Sequence, residues 1–202
     1  IKGSGHSNVF FADDFLKLAR PAKPKKLGGH VIIIGGGDVA MDCATQALKT
    51  ARRVSLYYRR GRNEMPASHE EIQRAEEHGV SLNYLCSPVQ INRNNSGDLF
   101  LEFIENTLVE DKRGRPKPVA IKNTGFKVKC DGIVFAVGQT ADEQLFRDLG
   151  FALDGNLPEI GDDYQSSVDN VYLVGDIVNG GGTVVEAVKL AKEVANLILE
   201  EL

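Results

Sequence analysis

The chain has 202 residues, of which 42% are hydrophobic and 26% charged, and this balance excludes a disordered, collagen-like or coiled-coil protein. Its formal net charge of -4 and pI of about 5.6 give no overall attraction to nucleic acid or to an anionic membrane. No apolar run approaches the ~18 residues that span a bilayer, and the N-terminus has no signal-peptide pattern, so we expect a cytoplasmic protein without a membrane or nucleic-acid partner.

The first 26 residues are predicted to be a lead-in and a linker. Residues 1–18 have an irregular pattern that ends in a short amphipathic stretch at residues 13–18. Residues 20–26 contain two prolines and four positive charges, which is typical of an exposed, stiff connector. A folded domain should begin just after this connector. Because the chain starts with isoleucine, we also expect it to be a piece of a longer chain.

A βαβ unit is predicted next, over about thirty residues. Residues 30–34 form a continuous β-branched run after His30, which is the pattern of a strand buried on both faces. Three glycines end the run, and from Asp38 the apolar spacing changes to that of a helix ending near Thr50. A second apolar run at residues 54–58 completes the unit, whose crossover should be right-handed.

The remaining pattern predicts an α/β fold with an antiparallel excursion. Ser68 and Glu71 form a capping box for a helix that Gly79 can end, and residues 80–86 form a strand. Short strands at 89–91, 99–104 and 126–129, with a charged loop at 110–118, predict a β-meander. A further buried strand at 133–137, a helix at 143–149, a strand at 171–174, a glycine loop at 180–182 and a terminal helix from residue 183 complete the chain.

The glycine turn after the first buried strand is a candidate dinucleotide site. Gly35 permits the tight turn, Gly37 lets a pyrophosphate approach the backbone, and Ala40 lies where helix and strand pack closely. The amides at the helix N-terminus would then face phosphate. A tight turn in another doubly wound protein is the alternative.

Arginines follow the second strand, where an NAD site would carry Asp or Glu. Arg59, Arg60 and Arg62 occupy this position, and the chain from residue 49 to residue 62 has six basic residues and no acid. Guanidinium groups suit the 2′-phosphate of NADPH, so we predict NADPH rather than NADH. The alternative is a solvated basic loop that pairs with the acidic helix after it.

A second candidate site lies near the C-terminus. Gly175 and Asp176 end a predicted strand, and Thr183 opens a helix directly after a glycine loop. A carboxylate is thereby placed beside helix N-terminal amides, although a plain strand-to-helix turn would have the same spacing.

Together these motifs resemble a known family. Residues 35–42, 58–60 with 64–67, 135–139, and 175–178 with 183–187 are similar, in this order, to the small subunit of NADPH-dependent glutamate synthase. The same flavoprotein module occurs in dihydropyrimidine dehydrogenase and in ferredoxin:NADP oxidoreductases. The resemblance implies an enzyme that passes hydride from NADPH to FAD, and electrons on through iron-sulfur clusters.

The resemblance also implies a role for each matching residue. Contacts to the NADPH pyrophosphate would come from the turn and the helix start, contacts to the 2′-phosphate from the arginines, and the closing strand would line the nucleotide. FAD contacts would come from the C-terminal site. The residues are, in this order, Gly35, Gly36, Gly37, Asp38, Val39 and Ala40; Arg59 and Arg60 with Arg62 as a helper; Ala136, Val137 and Gly138; Gly175 and Asp176; and Thr183, Val184 and Val185.

The domains predicted on this basis are the lead-in at 1–26, a Rossmann-like NADPH-binding domain at 27–145 and the C-terminal segment of an FAD-binding domain at 146–202. The first FAD glycine fingerprint and the iron-sulfur cysteines of the family are absent from this sequence. We therefore expect an incomplete FAD site, no turnover by the isolated chain and partners in the missing FAD-domain half and in a larger subunit or fused electron-accepting domain. A homo-oligomer is also considered, and no residue of this chain need be catalytic.

Other functions remain as alternatives. A non-enzymatic NADP(H)-sensing module would bind the nucleotide without flavin. A thioredoxin reductase would need a second cysteine after Cys43, which we instead expect to face the sheet. The three cysteines show neither disulfide nor zinc spacing, and the four histidines (His6, His30, His69 and His78) are expected to be surface or turn residues rather than metal ligands. Phe100, Phe103 and Phe126 are expected to be core.

Overall fold

The computed structural model describes residues 1–3, 5–19, 27–111, 114–138 and 141–201. The connector predicted at residues 20–26 lies outside the described residues. The chain divides into two compact units, Ile1–Gly138 and Gln139–Leu202. The division follows the closing strand of the first unit, seven residues before the domain boundary predicted at 145.

The first unit contains nine strands and three α-helices among its described residues, with a short 3-10 turn at Arg62–Glu64. In chain order they are β1 (Val9–Phe11), α1 (Ala12–Ala19), β2 (Gly28–Gly35), α2 (Asp38–Ala47), β3 (Ala51–Tyr57), α3 (His69–Glu77), β4 (Ser81–Asn83), β5 (Cys86–Arg93), β6 (Leu99–Val109), β7 (Lys117–Ala120), β8 (Phe126–Cys130) and β9 (Gly132–Ala136).

A parallel sheet lies at the centre of this unit, with strand order β1-β9-β2-β3-β4. The helices pack on one face, where Val31 and Ile33 of β2 join their core. The next residues of the strand, Ile32 and Ile34, point to the other face and pack with the antiparallel strands. Both faces are therefore covered, which explains the β-branched run and confirms the three-layer α/β fold with a meander.

The helix face holds the core of α1, α2 and α3. Phe15 of α1 is 2% exposed, so the amphipathic stretch near the N-terminus packs on the sheet. Cys43 is fully buried on α2, as predicted, and burial raises the pKa of its thiol to about 12. A buried, protonated thiol is a poor nucleophile, which argues against a redox role for this cysteine.

The antiparallel strands cover the other face. β6 pairs with β5, with β7 and with β8, and all three pairings are antiparallel. Phe103 of β6 is 1% exposed and stacks between Tyr57 of the parallel sheet and Phe126 of β8, with ring centroids 4.1 and 5.4 Å apart. Phe103 thus joins the two sheets, in agreement with the expected core role, whereas Phe100 and Phe126 are only partly buried. The loop expected at 110–118 is shorter than predicted, because Lys117 already begins β7.

Two further elements of the first unit differ from the prediction. Residues 9–11, expected to be irregular, form β1 at the edge of the parallel sheet and pair with residues 133–135. The strand predicted over 80–86 is only Ser81–Asn83, since Leu85 has a left-handed backbone (φ 56°) that turns the chain into β5.

His30 is a correction, because it is buried rather than at the surface. It is 7% exposed in β2, with Nε2 2.9 Å from Ser55 Oγ and Nδ1 2.9 Å from the Lys129 carbonyl oxygen. Arg53 Nη2 also lies 2.8 Å from Nδ1. A polar ring can be buried here because both of its nitrogens have partners.

We expect the protein to become less stable as the pH falls, because of His30. Burial, the largest effect, lowers the pKa of this imidazole below 6.5. The hydrogen bond to the Lys129 carbonyl partly opposes it, and weaker charge effects of Arg53 and Asp131 lower and raise the pKa respectively. The unfolded chain then binds the proton more readily, so the free energy of unfolding should decrease as pH falls through 6.5 towards the folded pKa, by at most about 1.4 kcal/mol per pH unit for one proton.

Denaturant titrations between pH 7.5 and 5 would measure this dependence. Substitution of the buried His30→Gln should flatten the curve in that range, whereas substitution of the exposed His78→Gln should leave it unchanged. An equally steep curve in both variants would contradict the assignment to His30.

The second unit contains α4 (Glu143–Asp148), β10 (Leu153–Asp154), β11 (Leu157–Pro158), α5 (Asp176–Asn179) and α6 (Val184–Glu201). The strand predicted at 171–174 is not formed. Tyr172 makes a single bridge to Gln165, and the described part of this unit offers no longer strand for these residues to pair with. Among the described residues, no helix is both long and apolar enough to cross a membrane.

Candidate nucleotide-binding site

Three predicted site segments meet at one edge of the parallel sheet. Residues 35–40 follow β2, residues 59–60 follow β3, and residues 136–138 end and follow β9. β2 lies between β9 and β3, and all three strands run in parallel. Their carboxyl ends therefore lie side by side, which is where ligands bind in open α/β sheets.

Gly35 makes the closest backbone contact at this edge. It pairs with Ala136, and a Cβ on Gly35 would lie 2.2 Å from the Ala136 carbonyl oxygen and 3.0 Å from the Ala40 Cβ. Glycine is thus required for β2, β9 and α2 to approach one another. Ala40 is fully buried, in keeping with the close packing predicted at this position.

Gly36 and Gly37 differ in what surrounds them. A Cβ on Gly36 would lie 2.5 Å from the Tyr58 ring, so the ring of the residue before Arg59 rests on the turn. By contrast, a Cβ on Gly37 would have only the Pro66 ring nearby, at 3.9 Å. The backbone at Gly37 is therefore open on that side, which leaves room for a phosphate to approach.

The first amides of α2 lie beside this opening. Gly37 is the N-cap, and its carbonyl accepts from the amides of Ala40 and Met41. The amides of Asp38 and Val39 have no hydrogen-bond partner in the described part of the chain, and the Val39 side chain is 44% exposed. The Asp38 carboxylate accepts a hydrogen bond from the Ser68 amide. Free amides at a helix N-terminus form an anion site.

Arg59 and Arg60 differ in whether their guanidinium groups are hydrogen bonded to described residues. Arg59 is exposed, and its guanidinium makes no hydrogen bond or ion pair with any described residue. Arg60 donates through Nε to the Pro116 carbonyl oxygen at 2.7 Å, which leaves its terminal nitrogens available. Both side chains can therefore offer donors to an anion.

Arg62 is held by another partner. Its two terminal nitrogens donate to the two carboxylate oxygens of Glu76 at 2.5 and 2.8 Å, and one of them also donates to Tyr84 Oη at 3.2 Å. This hydrogen-bonded pair raises the pKa of Arg62 and lowers the pKa of Glu76. Arg62 thus forms the pairing with the acidic helix that the sequence analysis gave as the alternative. To bind a phosphate, as predicted, Arg62 would have to give up hydrogen bonds to Glu76.

Substitution of Arg62→Gln should accordingly leave nucleotide selectivity almost unchanged. We expect the ratio of NADPH to NADH affinity to change by less than about twofold and the free energy of unfolding to fall by about 0.2–1 kcal/mol, as is usual for a solvent-screened ion pair. Calorimetric titration and denaturant unfolding would measure the two quantities. A tenfold loss of NADPH affinity without a change for NADH would instead place Arg62 on the phosphate.

Tyr58 and Arg115 lie at the candidate site, and the sequence did not reveal them. Tyr58 is 6% exposed and donates from its hydroxyl to the Glu64 carbonyl oxygen at 2.8 Å. Arg115 Nη2 donates to the Tyr58 hydroxyl at 3.1 Å and to the same Glu64 carbonyl at 2.9 Å. No local pattern marks Arg115, which lies 57 residues after Tyr58 in a charged loop.

The second candidate site lies in the second unit. Gly175 has a left-handed backbone (φ 77°) and caps the short helix α5, and the first residue of that helix, Asp176, accepts from the Gly182 amide at 3.2 Å. Thr183 and Glu186 cap α6 reciprocally, with the Thr183 amide donating to Glu186 Oε2 at 2.7 Å and the Glu186 amide to Thr183 Oγ1 at 3.2 Å.

This capping leaves part of the α6 terminus available. Val184 and Val185 are 80% and 78% exposed, and their amides have no hydrogen-bond partner within the described ranges. Two free amides next to exposed apolar side chains suit a partly apolar, electron-rich ligand.

Comparison with known proteins places these features in context. A model of the pyridine nucleotide-disulphide oxidoreductase family matches residues 1–191. The chain is 42% identical over 176 residues to the NADP(+)-dependent formate dehydrogenase subunit beta of Moorella thermoacetica. The aligned segment covers 82% of this chain and 24% of that protein. It is 29% identical over 219 residues to the glutamate synthase (NADPH) small chain of Azospirillum brasilense, covering 96% of this chain and 44% of that protein.

A solved structure shows the same fold. Mycobacterium tuberculosis FprA in complex with NADPH matches with a TM-score of 0.77 at 17% identity, covering 98% of this chain and 60% of that chain. The formate dehydrogenase subunit and the glutamate synthase small chain are both longer than this chain, which spans 24% and 44% of their lengths. The resemblance to the glutamate synthase small subunit, inferred from four motifs, is confirmed by these matches.

Proposed function

The chain belongs to the pyridine nucleotide-disulphide oxidoreductase family, and we propose that it is the NADPH-binding part of an FAD-dependent oxidoreductase similar to the glutamate synthase small subunit. In this proposal the first unit binds NADPH, and the second unit is the C-terminal segment of the FAD-binding domain. The rest of the FAD site, iron-sulfur clusters and a larger electron-accepting subunit or domain belong to the intact protein.

One observation carries the proposal for NADPH. An open glycine backbone lies at Gly37, beside two amides of α2 that have no partner among the described residues. The guanidinium of Arg59, also without a described partner, follows the neighbouring parallel strand of the same sheet. The amides suit a pyrophosphate, whereas the guanidinium suits the further phosphate that separates NADPH from NADH. The residues present therefore fit NADPH by their donors and by the space left at the turn.

The chain's own residues bind and orient in this proposal. The amides of Asp38 and Val39 hold the pyrophosphate, Arg59 and Arg60 hold the 2′-phosphate, and residues 136–138 line the nucleotide beside β2. When bound, NADPH would supply the hydride and FAD would be its acceptor. No side chain of this chain has to donate or accept a proton.

The second unit fits FAD in part. The Asp176 carboxylate keeps one oxygen without a described partner, and it can accept from a hydroxyl of the ribityl chain. The amides at the start of α6 can donate to the flavin ring, and Val184 and Val185 can pack on it. Because the remaining FAD contacts would come from outside this chain, we infer that the isolated chain retains FAD poorly and does not turn over.

Calorimetric titration of the purified chain with NADPH and with NADH tests the nucleotide assignment. We expect micromolar binding of NADPH and binding of NADH that is at least about tenfold weaker, since each charge-assisted hydrogen bond to phosphate contributes about 1.5–3 kcal/mol. Substitution of Arg59→Gln should reduce the affinity for NADPH by about ten- to a hundredfold and leave NADH binding unchanged.

Arg147→Gln provides the matched control, because Arg147 is an exposed arginine of the second unit that pairs with Glu143. This variant should bind both nucleotides as the unchanged chain does. Equal binding of NADPH and NADH by the unchanged chain would contradict the assignment of Arg59 to the 2′-phosphate. A loss of NADPH affinity in the Arg147 variant as large as in the Arg59 variant would show that only the net charge of the chain matters.

A further inference from the structure

Hydrogen bonds join the connection between β6 and β7 to the turn that follows β3. Arg60 Nε donates to the Pro116 carbonyl oxygen at 2.7 Å, and the neighbouring Arg115 donates back to Tyr58 Oη and to the Glu64 carbonyl oxygen at 3.1 and 2.9 Å. The two segments are more than fifty residues apart in sequence, yet three hydrogen bonds join them. Arg115 is therefore held against the turn that carries Arg59 and Arg60.

These contacts use only part of the Arg115 guanidinium. A guanidinium has five N–H groups, and both of those on Nη2 are directed at Tyr58 and Glu64. The three on Nε and Nη1 have no partner among the residues that the structure describes. Because the side chain is exposed, these donors are accessible to a ligand.

Arg59, Arg60 and Arg115 form no ion pair with an acid in the described part of the chain, whereas Arg62 and Arg74 are each paired with a glutamate. The Glu64 side chain is directed towards Gly61, with Oε2 2.6 Å from the position of a Cβ there. Three guanidiniums without an ion-pair partner among the described residues thus border one turn that holds one carboxylate, that of Glu64, and the remaining positive charge favours an anion with more than one negative charge.

We propose that Arg115 is a specificity-determining residue that binds the 2′-phosphate of NADPH together with Arg59 and Arg60. This inference rests on the proposed function, and it adds that the meander supplies part of the nucleotide site. The hydrogen bonds through Nη2 orient the guanidinium in advance, so its remaining donors meet the phosphate without a loss of side-chain freedom.

The competing explanation is that Arg115 only anchors the loop. An anchor would affect every ligand of the site equally through the position of the turn, whereas a phosphate ligand affects only nucleotides that carry the 2′-phosphate. Selectivity therefore separates the two roles, even though both would lower affinity for NADPH.

The test compares the purified chain with its Arg115→Gln and Arg115→Lys variants. Calorimetric titrations use NADPH, NADH, adenosine 2′-monophosphate and adenosine 5′-monophosphate, and thermal unfolding monitors the fold. Arg93→Gln is the matched control, because Arg93 lies on the same meander and also donates to a backbone carbonyl, that of Gly97.

We expect Arg115→Gln to bind NADPH and adenosine 2′-monophosphate about tenfold more weakly, with less than a twofold change for the other two ligands. Arg115→Lys should be intermediate, because it keeps the charge without the planar fork. An unchanged preference in Arg115→Gln, or an equal loss for NADPH and NADH, would overturn this inference and leave the proposed function standing. A chain that does not prefer NADPH before any substitution would overturn both.

Discussion

Replacement of Gly35 by alanine is expected to weaken nucleotide binding strongly and to destabilise the parallel sheet. A Cβ at this position would lie 2.2 Å from the Ala136 carbonyl oxygen and 2.9 Å from its carbonyl carbon. The Gly35 backbone also has a positive φ of 153°. Both contacts are with backbone atoms of the neighbouring strand, so β2 and β9 would have to separate at the end where the site lies.

The expected magnitude is large for a single methyl group. Overpacking of a rigid core costs about 1–3 kcal/mol, and the displaced turn should lower the affinity for NADPH at least a hundredfold. Denaturant unfolding and calorimetric titration would measure the two effects on the same preparation.

Gly37→Ala is the matched control two residues later. Its Cβ would have only the Pro66 ring nearby, at 3.9 Å, so the variant should fold with a loss below about 1 kcal/mol, due to the poorer N-cap. It should nevertheless bind NADPH weakly, because the methyl group fills the opening proposed for the pyrophosphate. Normal NADPH binding by Gly37→Ala would argue against that opening as the phosphate site, and a fully stable Gly35→Ala would contradict the strand contact.

Phe103→Ala should cost the most stability in the meander. Phe103 is 1% exposed and is stacked between Tyr57 and Phe126. Removal of a buried phenyl ring costs about 3–5 kcal/mol, which is a large part of the ~5–15 kcal/mol that stabilises a typical domain. The substitution also removes a ring that joins the antiparallel strands to the parallel sheet.

Denaturant unfolding followed by circular dichroism measures this effect. Phe100→Ala is the control on the same strand, since Phe100 is only partly buried, and it should cost less than half as much. Equal losses in the two variants would show that the stacked rings do not carry the contact between the sheets.

The local elements of the site could be predicted from the sequence. A β-branched run followed by three glycines is enough to specify β2, its turn and α2, because the strand, the stop and the helix start each depend on neighbouring residues. The cap of α3 was equally local, and the Ser68 hydroxyl indeed accepts from the Glu71 amide at 3.2 Å. Arg59 and Arg60 could be placed for the same reason, as they directly follow β3.

The features that sequence reasoning missed depend on distant partners. β1 has only three residues and is specified by its pairing with β9, in which Val9 lies opposite Ile133. Arg115 lies at the candidate site because hydrogen bonds join the connection between β6 and β7 to the turn after β3, more than fifty residues earlier. His30 is buried because Ser55 and Lys129 satisfy its ring, and neither residue is near it in sequence. Residues 171–174 are apolar, but among the residues that the structure describes their only β-pairing is the single bridge between Tyr172 and Gln165.

The strand order has a consequence for how the protein is made. β9 lies between β1 and β2, although it is the last strand of its unit to be translated. Until it emerges from the ribosome, the edge of β2 has no partner on that side and Val31–Ile34 stays incompletely covered. At about 5–20 residues per second, the intervening hundred residues take about 5–20 seconds to translate. The nascent chain therefore has an aggregation-prone interval, during which a chaperone that binds apolar segments would be of most use.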